Sequence, residues 1–328
     1  MQIVLGNQVV NPPVLLAPLA GITDVPFRNL VQSFGAGLVV SEMVASHEMV
    51  HKKPGARERA ELGFGIGSTS VQIAGREAHW MAEAAQIIEA NGAKIIDINM
   101  GCPAKKVTNG QSGSALMRTP DFALELVEAV VKATTLDVTL KMRLGWDDNS
   151  LNATYIAARA EAVGIKMITV HGRTRCQFYN GAANWSAISK VKAAVSIPVI
   201  ANGDIVDVAS ARLALELSGA DGIMVGRGAQ GAPWRLAEIS SKIYGTPEPI
   251  IPRGNTLAEL IIGHHQAILD FYGETLGVKN ARKHLGWYLD GLQVPPQLRQ
   301  SLLRSIYPSE IHRFIRQAVH HVRAEVEP

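Results

Sequence analysis

Lys141 lies within the apolar run VTLKMR, where a charged side chain is unexpected. Burying an ammonium group in apolar surroundings costs free energy unless an anion or an electron-rich group receives it. Gln72 lies in a second such run, VQIA, and its amide offers both donors and an acceptor. The alternative for Lys141 is a side chain that reaches solvent from the rim of a strand. These two residues are therefore candidates for a ligand site.

Two other apolar runs end in glycine-containing turns that carry polar side chains. Their residues are Asn202, Gly203 and Asp204 in ANGDI, and Gly226 and Arg227 in VGRGA. Glycine lets backbone N–H groups approach a phosphate closely, and Arg227 adds positive charge. Alternatively, the glycines only form tight turns. A lysine, a glutamine and a phosphate site together suit a flavin, with Gln72 on its pyrimidine edge and Lys141 beside N1 and O2.

A histidine and a cysteine follow further apolar runs. His171 ends the run MITVHG and could hold a cofactor phosphate or hydroxyl group; the alternative is a structural histidine. Cys102, one of only two cysteines, follows another run in the segment DINMGCPAKKV, from Asp97 to Val107. It is either an inert buried cysteine or part of a site. Both interpretations depend on how the fold arranges the ends of these runs.

Eight short apolar runs alternate with helical patterns over residues 1 to 244. The runs span 14–18, 37–42, 71–74, 94–99, 138–143, 167–172, 198–203 and 221–227. They are nearly continuous in apolar character, which is typical of parallel strands buried on both faces. Eight strand–helix alternations predict an α/β fold, an N-terminal (β/α)8 barrel. A doubly wound sheet is the competing fold, but no GxGxxG turn follows the first strand.

The active site of such a barrel lies at the carboxyl ends of its strands, with phosphate bound after strands seven and eight. The ANGDI and VGRGA turns follow the seventh and eighth runs. We therefore expect the glycine turns, Gln72, Lys141, His171 and Cys102 to meet at one mouth of the barrel.

The chain changes character after the barrel. Residues 245–255, GTPEPIIPRGN, are rich in proline and glycine and predict a linker. Residues 256–328 contain helical patterns and no strand-like run, which predicts a small C-terminal helical bundle. The predicted organisation is thus a catalytic barrel over 1–244, a linker over 245–255 and a helical domain over 256–328.

Composition limits the class of protein. The apolar fraction of 47%, the charged fraction of 19% and a net charge of +3 are those of an ordinary globular chain that tolerates a polyanionic partner. Two cysteines without CxxC spacing disfavour a disulfide framework or a metal site and fit a reducing cytoplasm. The N-terminus does not resemble a signal peptide, and no apolar stretch is long enough for a membrane span. We expect a monomer.

Several motifs resemble the tRNA-dihydrouridine synthases, in order and at family spacing. They are APLAGITDVPFR, SEM, VQIAG, DINMGCPAKKV, GSALM, LKMRLGW, HGRTR, VIANGDI and GRGAQGAPW. The forms MGCPAKKV and ARKHLGWYL are most similar to the bacterial B branch (DusB) of that family. One departure is Leu19 in APLAG, where methionine is commoner.

The resemblance implies an oxidoreductase that binds FMN, is reduced by NADPH, and converts a D-loop uridine of tRNA to 5,6-dihydrouridine. The helical domain would then bind tRNA. The residues implied to hold FMN are Pro18, Leu19, Ala20, Gln72, Lys141, His171, Asn202, Gly203, Asp204, Gly226 and Arg227. Asn99 would face the target uracil, because its amide can match a uracil edge.

In the implied reaction, hydride passes from flavin N5 to uracil C6, and Cys102 gives a proton to C5. A thiol is mostly protonated at neutral pH, so it suits this role. A lysine close to the sulfur would favour the thiolate, so we expect Lys105 and Lys106 to point away, at RNA phosphate. The full set implied to face tRNA is Asn99, Lys105, Lys106, Arg143, Arg173, Arg175, Arg282 and Lys283.

Two other functions are open to a chain with these residues. One is an FMN barrel oxidoreductase that acts on a free pyrimidine or another small molecule; activity on free uracil and none on tRNA would favour it. The other is a non-catalytic RNA-binding protein that keeps the barrel as a scaffold. A purified protein that cannot be reconstituted with flavin would favour that second function.

Overall fold

The strands of the protein form a closed parallel barrel, preceded by a small hairpin. The computed structural model describes residues 2–53, 55–62 and 69–326. The strands are β1 Ile3–Leu5, β2 Gln8–Val10, β3 Val14–Leu16, β4 Leu38–Val40, β5 Val44–Ala45, β6 Thr69–Ala74, β7 Ile95–Met100, β8 Asp137–Arg143, β9 Met167–His171, β10 Val199–Asn202 and β11 Gly222–Val225. Strands β3, β4 and β6 to β11 pair in parallel around a ring, which β4 closes by pairing with β6. The predicted (β/α)8 barrel is confirmed.

Helices follow the barrel strands and then continue beyond them. They are α1 Val25–Ser33, α2 Ser46–Val50, α3 Ala56–Ala60, α4 Ala78–Ala90, α5 Lys105–Thr108, α6 Pro120–Ala133, α7 Ala153–Ala162, α8 Ser186–Ala194, α9 Val208–Ser218, α10 Arg235–Tyr244, α11 Asn255–Tyr272, α12 Glu274–Asp290, α13 Pro296–Arg304 and α14 Pro308–Val326. Short 3-10 helices span Gly113–Arg118 and Arg227–Ala229. Among the described residues no helix is long and apolar enough to cross a membrane.

Local sequence signals explain where these helices begin and end. Asp24 precedes α1, and its carboxylate accepts a hydrogen bond from the Phe27 N–H at 3.0 Å. Asp207 and Ser210 form a capping box at the start of α9, and Gly219 ends that helix in the left-handed conformation. These features satisfy backbone groups that a helix end leaves unpaired.

The N-terminal hairpin of β1 and β2 closes the barrel at the end opposite to the mouth. Leu5 and Val10 are fully buried and belong to one apolar cluster with Leu15, Ile200 and Met224, which lie on barrel strands. Burying these apolar side chains stabilises the closed end of the barrel. The sequence patterns did not predict this hairpin.

The four C-terminal helices share an apolar core that includes Ile261, Leu285, Tyr288 and Ile315. Tyr288 is 4% exposed in this core. Residues 246–254 contain neither helix nor strand, where the sequence predicts the linker. Residues 1, 54 and 63–68 of the predicted barrel region and residues 327 and 328 of the predicted helical region lie outside the described residues.

Candidate active site

A cavity of about 300 Å³ lies at the carboxyl ends of the barrel strands. All eight barrel strands, or the loops that follow them, contribute to its lining. The residues expected at a flavin all line it, namely Pro18, Leu19, Ala20, Gln72, Lys141, His171, Asn202, Gly203, Asp204, Gly226 and Arg227. Asn99, Cys102 and Arg143 line it too. Its volume is at the lower end of the range for small-molecule sites.

Lys141 presents its ammonium group inside this cavity. Its Nζ donates a hydrogen bond to Asn202 Oδ1 at 3.1 Å, and Asn202 Nδ2 donates to the Met224 carbonyl at 2.8 Å. Desolvation, together with the charge of Arg143, lowers the pKa of Lys141 to about 8, while Asp97 opposes the shift. Since an ammonium carries three donors, Lys141 keeps donors for a ligand.

Gln72 and Asn99 are hydrogen-bonded to one another beneath the cavity. Asn99 Nδ2 donates to Gln72 Oε1 at 2.7 Å, and Gln72 Nε2 donates to Asp97 Oδ2 at 2.6 Å. Thr139 Oγ1 donates to the other Asp97 oxygen at 2.6 Å. Burial raises the pKa of Asp97, and the hydrogen bonds from Thr139 and Gln72 and the charge of Lys141 oppose that rise.

The Cys102 loop is held from both sides. Asn99 Oδ1 accepts from the N–H groups of Gly101 at 3.1 Å and Cys102 at 2.9 Å. On the other side, the Cys102 carbonyl accepts from the Ser114 N–H at 3.1 Å and from Ser114 Oγ at 2.8 Å. Cys102 is half-buried, so its position is fixed while its side chain keeps access to the cavity.

His171 is buried among positive charges and held against a glycine. Burial and the charges of Arg143, Lys141, Arg173 and Arg227 lower its pKa well below the usual value, which favours a neutral imidazole. A Cβ on Gly203, whose φ is +114°, would lie 2.7 Å from the His171 ring. Glycine at position 203 is therefore required by both the backbone conformation and the close approach.

Asp204 joins two arginines at the same rim. Arg173 Nη1 donates to Asp204 Oδ1 at 2.9 Å, Arg227 Nη2 donates to that oxygen at 3.1 Å, and the Ala183 N–H donates to Oδ2 at 2.8 Å. Burial alone would raise the pKa of Asp204, but these donors and charges hold it below its usual range. The carboxylate cannot itself donate to a phosphate, so it orients the two arginines.

Arg143 and Arg173 were expected to face tRNA, and the structure places both guanidinium groups in the barrel wall. Each residue is 1% exposed. Arg143 donates to the carbonyls of Gly101, Thr174 and Phe178 at 2.8 to 2.9 Å, while Arg173 pairs with Asp204. Their donors are directed at groups of the protein, because these arginines hold the loops around the mouth together.

The other basic residues expected at tRNA lie nearer the surface. Lys105 and Lys106 are exposed on α5, directly after the Cys102 loop. Arg175 places its guanidinium carbon 4.8 Å from the centre of the Trp146 ring. Lys283 Nζ lies 3.3 Å from the point that a Cβ on Gly21 would occupy, beside the loop that lines the cavity. Arg282 is half-buried.

An aromatic pair at the mouth was missed by the sequence patterns. Phe178 and Tyr179 are 42% and 44% exposed and line the cavity. The Tyr179 ring lies under two guanidinium groups, 5.2 Å from that of Arg227 and 5.7 Å from that of Arg143. The available signal was the pair of aromatic residues in CQFYNG, a polar loop after β9.

These features define a barrel enzyme whose mouth holds a cationic, polar ligand site beside a half-buried cysteine. Comparison with known proteins then identifies the family. The family model described as dihydrouridine synthase (Dus) matches residues 15–323, so the chain belongs to the dihydrouridine synthase family, oxidoreductases that act on tRNA. The resemblance of the sequence motifs is confirmed.

Two relatives and one solved structure show how close the similarity is. A probable tRNA-dihydrouridine synthase of Rhodobacter capsulatus is 60% identical over 97% of this chain and 98% of that protein. tRNA-dihydrouridine synthase B of Vibrio vulnificus is 46% identical over 90% of this chain and 92% of that protein. Histamine dehydrogenase from Rhizobium sp. 4-9 is 14% identical with a TM-score of 0.57, covering 81% of this chain and 50% of that one, which shows the fold alone.

Proposed function

We propose that the chain binds FMN at the barrel mouth, accepts electrons from NADPH, and reduces a D-loop uridine of tRNA to 5,6-dihydrouridine. The observation that carries the proposal is the site around Lys141. Its ammonium group donates a hydrogen bond to Asn202, and Gln72 lines the same cavity. That arrangement fits the electron-rich pyrimidine edge of a flavin.

The cofactor tail has a matching place at β10 and β11. Gly203 and Gly226 line the cavity with their backbones, and Arg227 is half-exposed with its charge only partly offset by Asp204. A neutral His171 beside Gly203 can hold a hydroxyl or a phosphate oxygen. Pro18, Leu19 and Ala20 line the same cavity.

FMN held by these residues would supply the hydride for C6 of the uracil ring. The chain then has to deliver a proton at C5, and Cys102 is the proposed donor because its loop is fixed and its thiol lines the cavity. Lys105 and Lys106, exposed beside that loop, are proposed to contact RNA phosphate. Residues 256–328, with Arg282 and Lys283, are proposed as the tRNA-binding domain.

A complementation experiment tests the proposal. Dihydrouridine is mapped site by site in tRNA from a strain that lacks this gene and carries wild type, Cys102→Ala or, as a matched control, Cys176→Ala. We expect one D-loop position to lose the modification, and wild type and Cys176→Ala alone to restore it. Restoration by Cys102→Ala would contradict the acid role. Flavin absorbance of the purified protein, and turnover of NADPH with tRNA against free uracil, test the cofactor and the substrate separately.

A further inference from the structure

A carboxyl group to which the proposed reaction gives no role is buried below the cavity. Asp97 is 3% exposed and lies on β7, two residues before Asn99. It accepts from Thr139 on one oxygen and from Gln72 on the other, and Gln72 accepts in turn from Asn99. Gln72, Asn99 and Thr139 are all buried, so the four side chains form one desolvated network.

The network ends at the backbone that carries the thiol. Asn99 Oδ1 is the acceptor for the N–H groups of both Gly101 and Cys102. Ser114 holds the Cys102 carbonyl and Arg143 holds the Gly101 carbonyl, whereas Asn99 Oδ1 is the acceptor that holds the two N–H groups of the loop.

The two ends of the network give it a fixed direction. Each oxygen of the Asp97 carboxyl group accepts a hydrogen bond, and a backbone N–H only donates. Gln72 must therefore turn its NH2 group to Asp97, which leaves Oε1 for Asn99. Asn99 must then turn its NH2 group to Gln72, which leaves Oδ1 for the loop. Reversal of either amide would place two acceptors or two donors face to face.

We propose that Asp97 is a positioning residue that acts through Gln72 and Asn99 to hold the Cys102 loop. The proposal rests on the proposed role of Cys102 as the acid, but the position of the loop can be measured without catalysis. Asp97 touches neither the cavity nor the thiol, so its effect is indirect.

Substitution of Asp97 by asparagine removes the carboxyl group that sets the direction of the network, while the side chain keeps nearly the same shape. An asparagine can donate or accept, so the chain of amides gains a second direction in which Asn99 turns its NH2 group to the loop. Thr139→Val is the matched control, because it removes one hydrogen bond from the same network and leaves the carboxylate in place. The double variant Asp97→Asn with Gln72→Glu restores a carboxylate that accepts from Asn99.

The measurement is the rate of iodoacetamide alkylation at Cys102 in the full-length protein, resolved by peptide mass spectrometry. Cys176, which is exposed and outside the network, is the internal control. We expect Asp97→Asn to raise the Cys102 rate about threefold or more, Thr139→Val to change it by less than about twofold, and the double variant to restore it. A wild-type rate in Asp97→Asn, an equal rise in Thr139→Val, or a parallel rise at Cys176 would overturn the proposal.

Hydrogen exchange on the wild-type protein gives a second test that does not need a folded variant. The amides of Gly101 and Cys102 should exchange slowly, because Asn99 Oδ1 accepts from both. Exchange of both amides at the rate of an unstructured chain would overturn the proposal. Failure of the proposed function would instead appear as wild type that leaves tRNA unmodified, with alkylation and exchange as expected.

Discussion

Lys141 Nζ donates to Asn202 Oδ1 across the barrel mouth at 3.1 Å. The bond joins β8 to β10, which are separated in the barrel by β9 alone. Asn202 is itself fixed by its donation to the Met224 carbonyl. The lysine is thus held in place while it keeps donors for a ligand, although desolvation lowers its pKa to about 8.

Replacement of Lys141 by methionine should separate ligand binding from stability. The change removes a desolvated charge at similar volume, so we expect the thermal midpoint of flavin-free protein to stay constant or rise. The ratio of bound flavin to protein, measured by absorbance, should fall by about tenfold or more, because the charged partner of the ring is lost. Lys132→Met, at an exposed lysine of α6, is the control. A wild-type flavin ratio in Lys141→Met would contradict the assignment.

Gly203 and Gly35 allow a matched test of crowding at His171. Both have a positive φ, +114° and +103°, but a Cβ would meet the His171 ring only at Gly203. We expect Gly35→Ala to lower the free energy of unfolding by about 1–2 kcal/mol, the cost of the conformation alone. Gly203→Ala should cost more and should also reduce bound flavin. Equal losses of unfolding free energy for the two variants, measured by urea denaturation, would show that the His171 ring can move away from the added Cβ.

The eight strands were predictable because each is a continuous apolar run, and a barrel buries its strands on both faces. The convergence of Gln72, Lys141 and His171 followed from the barrel rule alone. The orientation of the Arg173 side chain could not be predicted, because an arginine in a loop gives the same sequence pattern whether it faces RNA or pairs with Asp204. Asp97 was not predicted as a functional residue. Its partners Gln72 and Thr139 lie on neighbouring strands, so only the register of the sheet shows that they are adjacent to it.

Arg173 and Arg227 share Asp204 but should respond differently to substitution. Arg173 is buried, and its removal takes the closest partner from the partly exposed Asp204 carboxylate, so we expect Arg173→Met to cost about 1.5–3 kcal/mol of unfolding free energy. The Arg227 side chain is half-exposed, so Arg227→Gln should change stability by less than about 1 kcal/mol. If Arg227 holds a phosphate, its variant should still bind FMN more weakly in titration calorimetry. Equal destabilisation by the two variants would contradict the burial difference.

A cluster of buried histidines joins α1 to the C-terminal helices. The Phe27 ring lies 5.8 Å from that of His264 and 5.1 Å from that of His284, and His264 Nδ1 lies 3.0 Å from the Tyr288 hydroxyl. Desolvation and the neighbouring charges lower the pKa of His264 to about 3 and that of His284 to about 2. Both rings are therefore neutral at neutral pH, and protonation is confined to the unfolded chain.

This cluster predicts a loss of stability in mild acid. Because each folded-state pKa lies below the ordinary 6.5, the unfolded chain takes up protons first as the pH falls below 6.5. Each histidine then removes about 1.4 kcal/mol of unfolding free energy per pH unit. Asp24, whose pKa is raised to about 6, acts in the opposite sense.

His284→Phe tests the prediction, because the His284 Nε2 atom is buried with no hydrogen-bond partner among the described residues. The free energy of unfolding is measured by urea denaturation between pH 6.5 and about pH 5. We expect it to fall with decreasing pH less steeply for this variant than for wild type, because the unfolded variant takes up about one proton fewer. Asp24 is unchanged in both proteins, so its contribution cancels in the comparison. His320→Gln, at an exposed histidine of α14, is the control for the loss of a histidine outside the buried cluster. Identical slopes for wild type and His284→Phe would show that this ring is already charged in the folded protein.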